Sequence, residues 1–326
     1  MRRRTLITAA AIAASAACGA PSFAQAYPGK PIVFVVPAPA GGGLDAVART
    51  MADEMGKRMG ATIVIDNKPG AAGMLGTQTV ARAQPDGYTV LFTISAPILN
   101  APFLFAKVPY DVRRDLAFIT QVCTGPLVLG VSRDVPAKNM KEFLAWAQAN
   151  KGKLSIGSFG VGTAPHLAGA YLSQSRGLDL TNVAYKGEAP MVQDLVGGQI
   201  PIAIGSAGTF MPHLESGRAR ALAIVGTRRL PELPQVPTLA EAGLTDAELN
   251  LPGWIVMMAP AATPAPILAQ LEKAARDAVQ STPMKARFQA YGMDGMGTSS
   301  AQFRQAYDAA LPVVERMVKL SGAKAE

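Results

Sequence analysis

Residues 31–45 read PIVFVVPAPAGGGLD, an aliphatic run that leads through a glycine-rich loop into a helical pattern. The side chains from Ile32 to Val36 are all β-branched or aromatic, which is typical of a strand buried on both faces of a parallel sheet. From Leu44 to Met59 the apolar residues recur at helical spacing. The segment therefore predicts a strand–loop–helix unit with an uncovered backbone at its turn.

The same alternation continues through most of the chain. It favours parallel sheets flanked by helices, that is, an α/β fold. Two long extended stretches, residues 118–131 and 253–259, interrupt the alternation and are interpreted as crossings between two lobes. We therefore expect two lobes, each a largely parallel sheet flanked by helices: lobe 1 from residues 27–122 and 253–326, and lobe 2 from residues 123–252.

The first residues predict export. Arg2 to Arg4 precede an apolar, alanine-rich stretch, and Ala24-Gln25-Ala26 supplies the small-x-small pattern that signal peptidase reads. We expect residues 1–26 to be a signal peptide cleaved after Ala26, and the mature protein to be soluble and periplasmic. Two alternatives stay open: Cys18 could be a lipoprotein cysteine, and Arg2-Arg3 could belong to a twin-arginine signal.

Charge and cysteine content exclude several classes of protein. The formal net charge is +8, and removal of the three arginines of the leader leaves 8 − 3 = +5. Because the chain after the leader has no run of lysine or arginine of the kind that marks a nucleic-acid surface, nucleic-acid binding is not expected. After cleavage only Cys123 would remain, so no intramolecular disulfide can form, and its apolar surroundings indicate a buried, inert thiol.

Two glycine-rich loops in different lobes share one design. Gly41-Gly42-Gly43 precedes a helix with Asp45 in its first turn, and Gly160-Val-Gly162-Thr163 follows a strand that ends at Ser158. Glycine leaves backbone N–H groups uncovered, and a helix N-terminus favours an anion. We expect Thr163 to cap its helix and still offer a hydroxyl. Since ligands of open sheets lie beyond the strand ends, the paired loops predict an anion clamp built without charged side chains.

Three alternatives compete with this anion clamp. Either loop could be a tight strand-to-helix turn. Gly41-x-Gly43-x-x-Ala46, with Asp66 at the end of the next strand, resembles a dinucleotide-binding fingerprint, but four residues separate the strand from the first glycine. An exported enzyme could use Ser158 or Ser206, although isoleucine stands where a nucleophile elbow needs glycine. No metal-ligand motif is present, so no cofactor is expected.

Several motifs together resemble a known family. PAGGGLD at 39–45, DNKPG at 66–70, AQPDGYT at 83–89 and GVGT at 160–163 occur in the order seen in Bug-type, TctC-like substrate-binding proteins of tripartite tricarboxylate transporters. The resemblance runs from Tyr27 almost to Lys324. It implies a two-lobed periplasmic-binding-protein fold of type II, ligand capture without catalysis, and a monomer whose partners are membrane permease subunits or a sensor protein.

The resemblance also implies a ligand carboxylate held mainly by backbone amides and hydroxyls. For His166 and Tyr185 a packing role is the alternative, for Asp45 stabilisation of the helix start, and for Lys186 a solvated turn. Relatives often carry an acid where this chain has Ser206, and the absence of this extra acid favours a dicarboxylate, tricarboxylate or aromatic acid as ligand rather than an amino acid. The residues carried over are Ala40, Gly41, Gly42, Asp45, Ser95, Ser158, Gly160, Gly162, Thr163, His166, Tyr185, Lys186 and Ser206.

Overall fold

The computed structural model describes residues 27–250 and 253–322, so the predicted signal peptide and Cys18 lie outside the described residues. Strands and helices alternate along the chain, as the sequence predicts. The strands are β1 Ile32–Val36, β2 Ile63–Asn67, β3 Thr89–Ile94, β4 Leu116–Gly125, β5 Leu127–Ser132, β6 Ser155–Ser158, β7 Thr181–Ala184, β8 Ile202–Gly205, β9 Ala219–Val225, β10 Gly253–Pro260 and β11 Asp294–Gly295.

The α-helices lie between and after these strands. They are α1 Gly43–Met59, α2 Met74–Ala81, α3 Ala101–Leu104, α4 Val112–Asp115, α5 Met140–Ala149, α6 Ala164–Arg176, α7 Glu188–Val196, α8 Ala207–Glu215, α9 Ala265–Val279, α10 Thr282–Ala290 and α11 Ser300–Ser321. None of the described helices is both long and apolar enough to cross a membrane.

The strands form two separate sheets, with the orders β11-β4-β10-β3-β1-β2 and β7-β6-β8-β5-β9. β1 pairs in parallel with β2 and β3, and β6 pairs in parallel with β7 and β8. The sheets are nevertheless mixed rather than largely parallel. β10 runs antiparallel to both of its neighbours, and so does β5, because each of these strands enters its sheet from the other lobe.

The two crossings between the sheets lie side by side. β4 of the first sheet ends at Gly125 and β5 of the second begins at Leu127, with Pro126 between them. Proline lacks the N–H that a continuing ladder would need, which explains why the extended stretch splits there. The returning strand β10 begins at Gly253, opposite Gly125. The division into lobes at 122/123 and 252/253 stays a prediction.

Each sheet has its own apolar cores. Phe34 and Phe92 stack on neighbouring strands, with ring centroids 5.7 Å apart, and Met51 of α1 is fully buried in the same core. In the second lobe Phe143 and Ile202 are fully buried between helix and sheet. Each such side chain contributes ~1.5–3 kcal/mol by leaving water. The two cores hold the strand ends, and the loops that follow them, in fixed positions.

The lobes contact each other directly. The Asn100 side-chain amide of lobe 1 donates to the Gly162 carbonyl of lobe 2 at 2.6 Å, and both groups are buried. Arg228 of lobe 2 pairs with Asp294 of lobe 1 at 2.7 Å on the surface. A side chain at Gly187 would come within 3.2 Å of Pro39. The structure therefore shows a closed arrangement in which the two loop regions face each other.

Candidate functional site

Both glycine-rich loops line one cavity of about 340 Å³. Ala40, Gly42 and Gly43 contribute from lobe 1, whereas Gly160 and Thr163 contribute from lobe 2. The volume lies within the range of ~300–1,000 Å³ usual for small-molecule sites. The two loops, predicted to form one site, therefore meet at a common crevice between the sheets.

Asp45 fixes the backbone of the first loop. Its Oδ2 accepts from the Gly41 N–H at 3.0 Å, and its Oδ1 accepts from the Asn67 amide at 3.0 Å. Arg49 forms a bidentate pair with the same carboxylate, at 2.9 Å for each contact. Burial opposes the charged form, but the hydrogen bonds from Arg49, Gly41 and Asn67 prevail and hold the Asp45 pKa below its ordinary 3.8. Asp45 is buried and does not line the cavity, so it positions the loop.

His166 has the equivalent position in the second loop. Its Nδ1 accepts from the Gly162 N–H at 2.9 Å, while the Gly162 carbonyl accepts from Asn100. Burial lowers the pKa of His166, which favours the neutral ring that such an acceptor requires. Both polar backbone groups of Gly162 are therefore used within the protein. Neither residue lines the cavity.

Thr163 occupies the N-cap position of α6, but the capping contact predicted for it is wrong. Its hydroxyl makes no cap hydrogen bond to the helix and instead donates to the Gly160 carbonyl at 2.7 Å. Ser158 reaches the same carbonyl at the longer distance of 3.5 Å. The loop turns back on itself, with Gly160 at φ 151° and Gly162 at φ 75°, values that favour glycine.

A buried acid that the sequence analysis did not foresee, Glu188, is hydrogen-bonded to Ser206. Its carboxylate accepts from the Ser206 N–H, from the Ser206 hydroxyl at 2.9 Å and from the Thr209 hydroxyl at 2.9 Å. Burial is the largest influence and raises the Glu188 pKa above 4.5, although the donors from Ser206, Thr209 and Gly43 oppose it. Glu188 follows the YKG motif in sequence, but no sequence pattern linked it to Ser206.

Lys186 and Tyr185 line the cavity from the same turn. Lys186 is exposed, and it makes no ion pair or hydrogen bond within the described residues. The Tyr185 hydroxyl donates to Asp194 at 2.7 Å, so its ring rather than its hydroxyl faces the available space. Burial, and then the hydrogen bond to Asp194, raise the Tyr185 pKa to about 12. Lys186 and Glu188 are the two charged residues in the cavity lining.

Two hydroxyl-bearing residues near the end of β3 line the lobe 1 side. Ser95 was predicted, whereas Thr93 was not. Thr93 is fully buried, and its hydroxyl finds no partner among the described residues. A buried hydroxyl without a partner costs ~1–3 kcal/mol. No sequence signal distinguishes Thr93 from a packing residue of β3.

The rest of the wall is largely apolar. Leu44, Ile94, Phe159, Trp254 and Met293 line the cavity together with several prolines and with the crossing segment 123–127. The Thr124 hydroxyl donates to the Gly253 carbonyl at 3.1 Å and so joins the two crossing strands at the cavity floor. Such a wall suits a ligand with an apolar body. Sequence reasoning missed these residues because an apolar strand end looks the same whether it packs or lines a cleft.

The thirteen predicted site residues thus fall into two groups. Eight line the cavity: Ala40, Gly42, Ser95, Gly160, Thr163, Tyr185, Lys186 and Ser206. The other five lie behind it and determine the shape of the loops: Gly41, Asp45, Ser158, Gly162 and His166. A single sequence cannot separate these groups, since a residue that holds a loop and a residue that meets a ligand occupy the same motif.

The competing site chemistries find little support. Ser158 and His166 bond to different backbone groups of the loop and not to each other. Of the first-loop amides that a pyrophosphate would need, the Gly41 N–H is already bonded to Asp45, and the Glu188 carboxyl group lies beside Gly43. Within the described ranges no cluster of His, Cys, Asp or Glu could hold a metal ion.

Comparisons with known proteins agree with this geometry. The chain matches the Tripartite tricarboxylate transporter family receptor over residues 47–322. It is 36% identical over 270 residues to a protein from the tcbD-tcbE intergenic region of Pseudomonas sp. strain P51, covering 82% of this chain and 80% of that protein.

Two solved structures are also similar. The periplasmic binding protein BugD superposes with a TM-score of 0.86 at 32% identity, covering 92% of this chain and all of that one (100%). A Rhodopseudomonas palustris protein solved with adipate gives a TM-score of 0.87 at 27% identity, and the match covers 91% of this chain and 99% of that protein. These relatives are binding proteins rather than enzymes. The chain belongs to the tripartite tricarboxylate transporter receptor family of periplasmic solute-binding proteins.

Proposed function

We propose that this protein captures a small organic acid between its two lobes, outside the cytoplasm, after removal of residues 1–26. It would deliver the acid to the membrane permease subunits of a tripartite transporter or to a sensor protein. The observation that supports this most is the shared cavity, because loops from both lobes line it and the lobes touch around it. The relative solved with adipate supports a carboxylate as ligand.

The ligand carboxylate would lie on the lobe 2 side. Within the described residues, the backbone N–H groups of Gly160, Val161 and Ala164 donate to no protein acceptor. Ala164 begins α6, whose N-terminal dipole favours negative charge. Lys186 adds a cation that has no ion-pair partner among the described residues. Together these backbone amides and Lys186 form a site for one carboxylate.

Binding would favour the closed arrangement. Both crossings lie side by side at Gly125 and Gly253, which allows one lobe to rotate against the other about a single axis. A ligand that contacts both lobes stabilises the closed form through its greater affinity for it. We propose the lobe boundaries near these crossings on the same ground.

The proposal is tested by calorimetry on residues 27–326 with a panel of aliphatic monoacids, diacids, aromatic acids and amino acids. We expect at least one acid to bind and to raise the unfolding temperature by mass action. Lys186→Met keeps the aliphatic stem but removes the charge, and should weaken binding of the acid about tenfold, that is, by about 1.4 kcal/mol. An acid that binds equally well to Lys186→Met, or a panel without any binding, would contradict the proposal.

A further inference from the structure

Two of the protein's own carboxylates already occupy the first glycine-rich loop. Asp45 takes the Gly41 N–H, and Glu188 reaches across from lobe 2 to Gly43. We propose that the cavity therefore accepts one ligand carboxylate, at the lobe 2 site, and that Glu188 is the specificity-determining residue that excludes a second one. This inference rests on the proposed function and narrows its ligand class to monocarboxylates with an apolar or uncharged polar body.

The first step concerns the capacity of the loop for anions. A glycine loop before a helix attracts negative charge because its N–H groups and the helix dipole point the same way. In lobe 1 the Asp45 carboxylate is buried, lies within the first turn of α1 and accepts the Gly41 N–H at 3.0 Å. The loop thus holds one internal anion before any ligand arrives.

Glu188 supplies a second carboxyl group, and it comes from the other lobe. A side chain at Gly43 would come within 3.3 Å of the Glu188 Oε2, so this carboxyl group lies beside the start of α1. Glu188 begins α7, and Ser206, which donates to it, is the N-cap of α8. Its carboxylate therefore uses the backbone and hydroxyl donors at the junction of three helix N-termini, where a second ligand carboxylate would otherwise bind.

The charge balance of the cavity leads to the same conclusion. The lining contains one cation, Lys186, and one acid, Glu188. A monoanion would sit beside Lys186 and the unused lobe 2 amides. A dianion would place its second charge either against the apolar wall or near Glu188, whose ionised carboxylate repels it in a poorly solvated site. Because burial raises the Glu188 pKa, this repulsion strengthens as the pH rises. Exclusion by a like charge is an established route to specificity.

The lobe 1 end of the cavity offers uncharged donors instead. The Ser95 hydroxyl lines this end directly after β3, and the buried Thr93 hydroxyl has no partner among the described residues. Leu44, Ile94 and Trp254 are the apolar neighbours. This end suits a hydrocarbon or aromatic group, with or without one hydroxyl or carbonyl, and does not supply a cation for a second carboxylate.

Two ligand pairs that differ by one carboxylate test the inference: hexanoate against adipate, and benzoate against terephthalate. In calorimetry we expect wild-type protein to bind the monoacid of at least one pair at least about tenfold more tightly than its diacid. Glu188→Gln keeps the side-chain volume, and Glu188→Ala vacates the position. Both variants should reduce the ratio of the diacid Kd to the monoacid Kd at least about tenfold, mainly by strengthening diacid binding.

Controls separate the possible outcomes. Glu315→Gln makes the same charge change on the exposed face of α11 and should leave the ratio unchanged. Lys186→Met should weaken both acids of a pair equally. Circular dichroism verifies that each variant is folded, and either Glu188 variant suffices if the other is not.

Three results would overturn the inference. One is a wild-type preference for the diacid in either pair, and another is a ratio that stays the same in folded Glu188 variants. If no carboxylate of the wider panel binds wild-type protein, the proposed function fails and this inference fails with it. If carboxylates bind but the ratio of diacid to monoacid Kd is unchanged in the Glu188 variants, the inference fails and the proposed function stands.

Discussion

Replacing Asp45 with alanine should destabilise the protein although the residue never touches the cavity. The substitution removes hydrogen bonds from Gly41 and Asn67, both at 3.0 Å, and the pair with Arg49. A hydrogen bond to a charged group contributes ~1.5–3 kcal/mol. Because the Arg49 side chain is 52% exposed, its ion pair adds less, about 1 kcal/mol at most. We expect a loss of about 3–7 kcal/mol in the free energy of unfolding.

Arg49→Ala is the matched control, since it removes the exposed partner and leaves the buried contacts of Asp45 intact. It should cost about 1 kcal/mol or less. Urea unfolding followed by far-UV circular dichroism, with linear extrapolation to water, measures both variants. The reasoning is refuted if Arg49→Ala costs as much as Asp45→Ala, or if Asp45→Ala costs less than about 1 kcal/mol.

The same variant has a pH signature. The folded-state pKa of Asp45 lies below its ordinary 3.8, so the carboxylate's stabilisation is fully present above pH 3.8 and is lost as the pH falls through the folded value. The stability difference between wild-type protein and Asp45→Ala should therefore shrink in acid. A difference that stays constant down to the pH of acid unfolding would argue against an ionised Asp45.

Asn100→Ala removes the buried bond between the lobes and should weaken ligand affinity about tenfold, with a larger radius of gyration in small-angle scattering; an unchanged closed form would contradict this. Thr93→Val removes an unpartnered hydroxyl and should raise stability by about 1 kcal/mol in the ligand-free protein, whereas a loss would show that the hydroxyl has a partner. Glu188 has a raised pKa, so wild-type protein should lose stability relative to Glu188→Gln as the pH rises above 4.5, and a parallel pH dependence would refute this.

The fold follows from the sequence because aliphatic strands, glycine turns and amphipathic helices alternate clearly. Residues 31–59 formed the predicted strand, loop and helix, and Pro126 divides the long extended stretch. The sequence did not predict the direction of β5 and β10, since a buried strand has the same composition whether its neighbours run parallel or antiparallel to it. Only the long-range pairing decides that direction.

The sequence predicted where the candidate site lies but not which contacts its residues make. Motif matching located both loops, yet it could not foresee that Asp45 and His166 turn away from the cavity to hold Gly41 and Gly162. Nor could it foresee Glu188, which lies 18 residues from Ser206 in sequence but bonds to it in space. Contacts of this kind depend on how strand ends converge, and a local pattern does not contain that information.

Cys123 gives the molecule a practical property. It is the only cysteine among the described residues, it is fully buried, and burial raises the pKa of its thiol. Alkylating dyes attack the thiolate, so native protein without its leader should stay unlabelled. Cysteines introduced in place of Arg228 and Asp294, which pair between the two lobes on the surface, would then be the sole attachment points for a fluorophore pair. Energy transfer between the two dyes would turn the receptor into an optical reporter of its own ligand.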